Sequence, residues 1–372
     1  MPASIDPVAA ALADLAIIVV VARLVGTLFV RLRQPRVVGE MVAGILIGPT
    51  VLGAGATQLV FPAVSQAFLG LFGTLALVLF TFLVGVEVPQ HLLRGRLGRV
   101  GLIGVAVAAT ALPVISRILQ ERGLVATTAG ALGLGVAAVV TPLTFVVLGS
   151  GAAVRAGTDP FVTTRVQLAL VAALVAVLLL VVRPLLAAVL ARHFGGADLG
   201  GGTLALLLAG ALLTAVATDR IGVQALPGGL LFGAAVPQVP GLARAVADRL
   251  QPVVVVVGIP VFLAVSGLQT DLRLLRAEHL GAVALFLAAV AVAKCGVGAG
   301  VGRLAGLPGR DAAVVGVLLS CGGLVTLVVA LAARQLGLIT PAMQAVFVVA
   351  AIVTTLATGP LLSRFSRRAS PG

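Results

Sequence analysis

AGILIGP, residues 43–49, returns as GGLLFGA, residues 228–234, about 180 residues further along the chain. The match continues in the same order: FLVGVEV stands at 82–88 after the first copy, FLAVSGLQTDL at 262–272 after the second. Identity is weak but the order is kept. Both patterns put glycine where two helices must approach closely. Gly/Ala/Leu-rich helices also resemble one another by chance. Paired halves of this kind are nonetheless a signature of membrane transporters.

Composition points the same way. Of 372 residues, 60% are hydrophobic and only 10% charged, whereas soluble domains carry about a quarter charged residues. No polar linker divides the chain, so it reads as one all-α membrane domain over 1–372. Apolar runs long enough to cross, or nearly cross, a bilayer fall at about 7–30, 36–53, 64–88, 99–120, 126–150, 162–191, 201–217, 221–238, 250–268, 280–302, 310–333 and 340–364. The first half of the repeat covers about 31–191 and the second about 201–366. The first run is long enough to span and lacks the basic start of a cleaved signal. A multi-pass protein of the cell membrane is the expectation, with the lipid bilayer as its partner.

The net charge of +13 does not indicate nucleic acid. The arginines sit in short loops, as the positive-inside rule expects, and with no Trp or Tyr there is no aromatic platform for bases. Cys295 and Cys321 lie in apolar runs and read as packing residues. His91, His193 and His279 form no ligand spacing, so neither a metal nor a cofactor is expected. The single lysine, Lys294, stands in the apolar run AVAVAKCGVGAG, residues 289–300. An ammonium there is expensive without a partner, and intramembrane ionisable groups usually carry function.

The chain resembles the monovalent cation:proton antiporter superfamily, in particular its bacterial potassium-efflux and sodium/proton exchanger branch. The resemblance rests on RLRQPRVVGEMVAGILIGPTVLG (31–53), FTFLVGVEV (80–88), ATALPVISRILQERGL (109–124), VVRPLL (181–186), ATDRIGVQAL (217–226), LQPVVVVVGIPVFLAVSGLQTDL (250–272) and IVTTLATGPLL (352–362). It implies an inverted-repeat helix bundle with two crossing discontinuous helices, a homodimer, and antiport of a small ion. Many members add a cytoplasmic nucleotide-binding domain; with the last residue at Gly372, none is expected here.

The departures bear on function. The resemblance implies adjacent acids on the helix after RILQERGL, and Val140 and Thr141 stand at those positions, followed by Pro142. The family run Asn-Thr-Arg-Gly-Leu-Val-Glu reads SCGGLVT here, residues 320–326, so that Gly322 replaces the arginine and Thr326 the glutamate. Lys294 stays at the family's lysine position, where an aspartate on the facing helix would pair with it. With that aspartate gone, desolvation favours the neutral amine. Glu40, Glu87 and Asp219 are the other acids available, each with a simpler reading as a helix-end or interfacial residue. Thr141, Ser320 and Thr326 offer neutral oxygens only.

One core helix also looks missing. The segment between FLVGVEV and ATALPV is too short for another crossing, and the arginine pattern calls for an odd number of crossings where twelve runs are counted. The two repeated helices also come six apart in that count, which makes them parallel where an inverted repeat needs an odd offset. These two conflicts, in crossing number and in direction, fall on 99–120, where Pro113 marks a break or a re-entrant segment. Gly322–Gly323 marks the expected break in the second half.

Three functions compete. Ordinary cation:proton exchange has the fold and the lysine in its favour, but lacks the carboxylates. Secondary transport of a small apolar solute suits a cavity that has lost its charges. The alternative is a degenerate scaffold acting as a membrane-embedded small-molecule binding protein or enzyme, for example in a biosynthetic pathway, although no catalytic motif is present.

Overall fold

The computed structural model describes residues 7–32, 34–87, 128–194, 199–304, 306–320 and 323–366. Among them every regular element is helical. The expectations for a missing helix, a break at Pro113 and a topological conflict at 99–120 lie outside the described residues. So do Cys321 and Gly322, and with them the expected break in the second half.

The apolar runs become helices with ends set by Pro, Gly and Arg. The elements are α1 (Pro7–Arg31), α2 (Arg36–Leu46), α3 (Pro49–Leu52), α4 (Ala54–Val60), α5 (Ala63–Glu87), α6 (Thr128–Arg155), α7 (Pro160–Val177), α8 (Arg183–His193), α9 (Gly201–Ile221), α10 (Leu226–Ala235), α11 (Leu242–Val253), α12 (Ile259–Leu268), α13 (Ala277–Val290), α14 (Gly298–Leu304), α15 (Gly309–Ser320), α16 (Gly323–Gln335) and α17 (Pro341–Ser366). Six helical stretches among the described residues are long and apolar enough to cross a membrane. The longest exposed one, Pro160–Arg192, has only 6% of an 18-residue apolar segment buried within the protein. Its apolar side chains therefore face the surface, as lipid-facing residues do.

Two expected crossings are corrected. The run at 36–53 is not one helix: α2 ends at Leu46, and Gly48 and Pro49 turn the chain into the short α3. The run at 221–238 contains only the ten-residue α10. An α-helix rises about 1.5 Å per residue, so neither α2 nor α10 reaches across about 30 Å of hydrocarbon. The physical cause is local. Pro35 stands before α2 and Pro49 just after it; Gly222, in the left-handed conformation at φ 87°, closes α9 before α10 starts with Pro227 at its second position.

Three stretches are wound as π-helix: Leu178–Val182, Val254–Gly258 and Ala291–Val297. The first two lie just before Pro184 and Pro260. A proline inside a helix has no N–H and its ring clashes with the carbonyl four residues back, and local π winding relieves both. The third has no proline in it; it carries Lys294.

The described residues fall into two compact units. One takes those of Met1–Gly73, His91–Val140 and Pro260–Gly372; the other takes those of Thr74–Gln90 and Thr141–Ile259. In the first unit, α1 lies along α2, with Gly26 and Gly39 in backbone contact: a Cβ on Gly39 would stand 2.7 Å from the Gly26 Cα. The other side of α2 meets α12. A Cβ on Gly44 would be 2.7 Å from the Ala264 Cα, and one on Gly48 would be 2.8 Å from the Gly267 carbonyl. In the same unit α13 packs on α17 through an edge-to-face pair, Phe286 and Phe347, with centroids 5.0 Å apart.

In the second unit α9 lies along α10, and α10 meets the C-terminal part of α5. Gly229 abuts Val78 and Gly233 abuts Phe82, backbone to backbone. A Cβ on Gly85 would be 2.5 Å from the Leu230 carbonyl. Thr81 Oγ donates to the Leu226 carbonyl at 3.0 Å. Gly44 and Gly48 hold the same places in AGILIGP that Gly229 and Gly233 hold in GGLLFGA. The glycine motif of each half thus packs on the FL-containing helix of the other half, once in each unit.

Candidate functional site

Lys294 sits on the π stretch that joins α13 to α14, and its side chain lies outside the described residues. The backbone around it is closely packed. α15 crosses this stretch, and a Cβ on Gly316 would stand 2.6 Å from the Cys295 carbonyl. Cys295 is a free, half-buried thiol. Ser320 lies one helical turn beyond Gly316 on the same face of α15 and is 5% exposed. Its hydroxyl donates to the Val317 carbonyl at 2.7 Å, inside its own helix. Thr326, on α16, is half-buried. The first unit therefore brings the Lys294 backbone and Ser320 onto neighbouring elements, with a π stretch in place of regular helix. Such bulges recur at functional sites because they free backbone groups and re-aim side chains.

Thr141 belongs to the second unit, near the middle of α6, and is 1% exposed. The next residue, Pro142, lies inside the helix and removes one of its hydrogen bonds. The Val140 side chain lies outside the described residues. Asp219 is exposed in the last turn of α9, next to the equally exposed Arg220. Glu87 is the half-buried last residue of α5. Glu40 is different. It is fully buried in the middle of α2, not at a helix end, and lies with Arg36 over Gly26 of α1: a Cβ there would be 3.5 Å from the Glu40 Cγ and 3.0 Å from the Arg36 Cγ.

The structure adds one buried acid that sequence reasoning missed. Asp14, on α1, is 2% exposed and belongs to the buried stripe Ala11, Asp14, Ile18, Ala22 and Gly26. Ser65 Oγ, at the start of α5, is hydrogen-bonded to its Oδ2. Its sequence signal is a lone carboxyl within an apolar run of 25 residues. It lies ahead of the repeat, outside every motif that carries the resemblance.

Other buried polar side chains are mostly tied to backbone. Thr354, Thr355 and Thr358 of α17 donate to carbonyls one turn back. Thr50 Oγ donates to the Thr270 carbonyl at 3.1 Å and accepts from the Leu272 N–H at 3.0 Å, which fixes the turn after α12 to the start of α3. Beyond α12, Asp271 and Arg273 form an exposed ion pair at 2.9 Å. Among the described residues no group of three or more His, Cys, Asp and Glu side chains is placed to hold a metal ion.

Comparison with known proteins agrees with this geometry. Residues 17–102 and 96–368 match the family described as sodium/hydrogen exchanger, transmembrane. The chain is 31% identical to the Na(+)/H(+) antiporter NhaS4 of Synechocystis sp., over 94% of this chain and 96% of that protein. It is 27% identical to Cation/H(+) antiporter 19 of Arabidopsis thaliana, over 96% of this chain and 50% of that protein. It is also 27% identical to K(+)/H(+) antiporter 1 of Saccharomyces cerevisiae, over 96% of this chain and 46% of that protein. The chain thus spans about half the length of these last two relatives. In fold it is similar to the sodium proton antiporter MjNhaP1 from Methanocaldococcus jannaschii, with a TM-score of 0.63, 15% identity, and coverage of 97% of this chain and 98% of that one.

Proposed function

The chain belongs to the sodium/hydrogen exchanger family, and from that premise we propose that it is a secondary transporter that does not move sodium or potassium by the family's carboxylate chemistry. It is a multi-pass membrane protein of cation:proton antiporter type. The finer reading is carried by one observation: a neutral, 1%-exposed Thr141 at a position where the resemblance implies an acid. Antiport of this kind needs one group that holds a proton and a cation in turn. A hydroxyl does not ionise in the working range, and a hard cation prefers a set of oxygens that includes an anionic one. Ser320 adds only a neutral oxygen to that region, since its hydroxyl donates to the Val317 carbonyl and carries no charge. The solute this favours is a small apolar organic molecule. A homodimer, as the resemblance implies, is part of the proposal and is checked by cross-linking in native membranes.

Ordinary cation exchange is the second reading, favoured by the near full-length match to a relative named as a Na(+)/H(+) antiporter. A repurposed binding protein or enzyme draws no support from these relatives, each of which is named as an antiporter. Proteoliposomes carrying the purified protein and a pH-sensitive dye separate the first two. Added sodium or potassium is expected to leave an imposed pH gradient unchanged. Protein-dependent collapse of the gradient on adding either ion overturns the proposal.

A further inference from the structure

We propose that Asp14 and Ser65 form a proton-holding site inside the membrane span of α1, with Asp14 as a neutral carboxylic acid. The number of hydrogens available is the key. Ser65 Oγ bonds two oxygens: the Oδ2 of Asp14 and, at 2.8 Å, the carbonyl of Pro62. A serine hydroxyl has one hydrogen to give, and a carbonyl has none. When Ser65 donates to Pro62, the hydrogen between Ser65 and Asp14 comes from Asp14. The chain then runs from the Asp14 O–H to Ser65 and from the Ser65 O–H to the Pro62 carbonyl, with every contact satisfied. When Asp14 is ionised, Ser65 must turn its hydrogen to the carboxylate and give up Pro62, whose carbonyl still accepts from the Gln66 N–H at 3.0 Å.

The surroundings decide between these arrangements. Asp14 is 2% and Ser65 1% exposed, so water does not solvate a charge there. One hydroxyl is a poor substitute for the hydration of a carboxylate. No cation compensates among the described residues. On α1 the nearest is Arg23, nine residues away and about 13 Å along the helix. α4 carries no charged residue, and α5 carries none before Glu87. Arg36 and Glu40 of α2 meet α1 at Gly26, twelve residues from Asp14 and about 18 Å along the helix. The hydrogen bonds that define the site run between Asp14, Ser65 and Pro62, and it does not depend on what the transporter carries.

Infrared difference spectroscopy on the full chain in lipid nanodiscs tests this. At neutral pH, wild type minus Asp14→Asn is expected to show a protonated-carboxyl C=O band, lost in the variant, with no carboxylate band lost. Asparagine keeps a donor toward Ser65, so the variant is expected to fold and to melt close to wild type. Ser65→Ala supplies an independent arm: the Asp14 C=O band is expected to shift, because its hydrogen-bond acceptor is gone. Loss of a carboxylate band in Asp14→Asn overturns the protonation state. An unshifted band in Ser65→Ala overturns the shared site.

Discussion

Replacing Lys294 by alanine is expected to cost little. A buried ion without a good partner contributes little net stability, and apolar substitution of such groups is often neutral or favourable. The thermal midpoint of Lys294→Ala should stay within a few degrees of wild type, a change of about 1 kcal/mol or less. Circular dichroism is the readout, because the chain has no Trp or Tyr to report unfolding by fluorescence. A large loss would mean that the ammonium has a strong partner. At this scale the sequence is legible in part. Lys294 stands out as the single lysine, and Thr141 stands out because the resemblance implies an acid there. Asp14 stays hidden, because its burial depends on which face of α1 meets the protein, and hydropathy alone does not say which face that is. Glu40 reads as an end-of-helix acid for the same reason; packing of α1 on α2 places it fully out of solvent.

The element scale is governed by glycine. Gly44→Val and Gly229→Val each push a side chain into a neighbouring backbone and are expected to destabilise by about 3 kcal/mol, the upper range for overpacking. Gly281 of α13 has no atom within 4 Å of a Cβ position, so Gly281→Ala is expected to stabilise by about 0.5–1 kcal/mol through helix propensity alone. Thermal melts of the three variants side by side check both signs. Most long helices can be read from apolar runs bounded by arginine and proline, as with α1 against the expected 7–30. The short α2 and α10 cannot, since hydropathy averages across Gly48–Pro49 and across Gly222. The π stretches leave no hydropathy trace either. Only Pro184 and Pro260 hint at two of them, and nothing in composition marks the third.

At the scale of the molecule, the weak internal match of seven-residue motifs proves more informative than its identity suggests. Equivalent glycines make equivalent contacts, each with a helix from the opposite half. Both compact units are therefore built from both halves of the sequence. A chain of this design is interlaced, and its halves are obligate co-folders. Residues 1–195 expressed alone would expose the α5 surface that α10 covers and the α2 surface that α12 covers, and residues 199–372 would expose the complementary faces. Each fragment alone is expected to be degraded in the membrane. The two expressed together, with the backbone severed between α8 and α9, are expected to assemble and co-purify. Recovery of either fragment by itself as a stable, monodisperse species would show that the interlacing is dispensable. During synthesis the first half must then persist in the bilayer with glycine faces uncovered until the second half arrives, which makes that interval the point where quality control has the most to recognise.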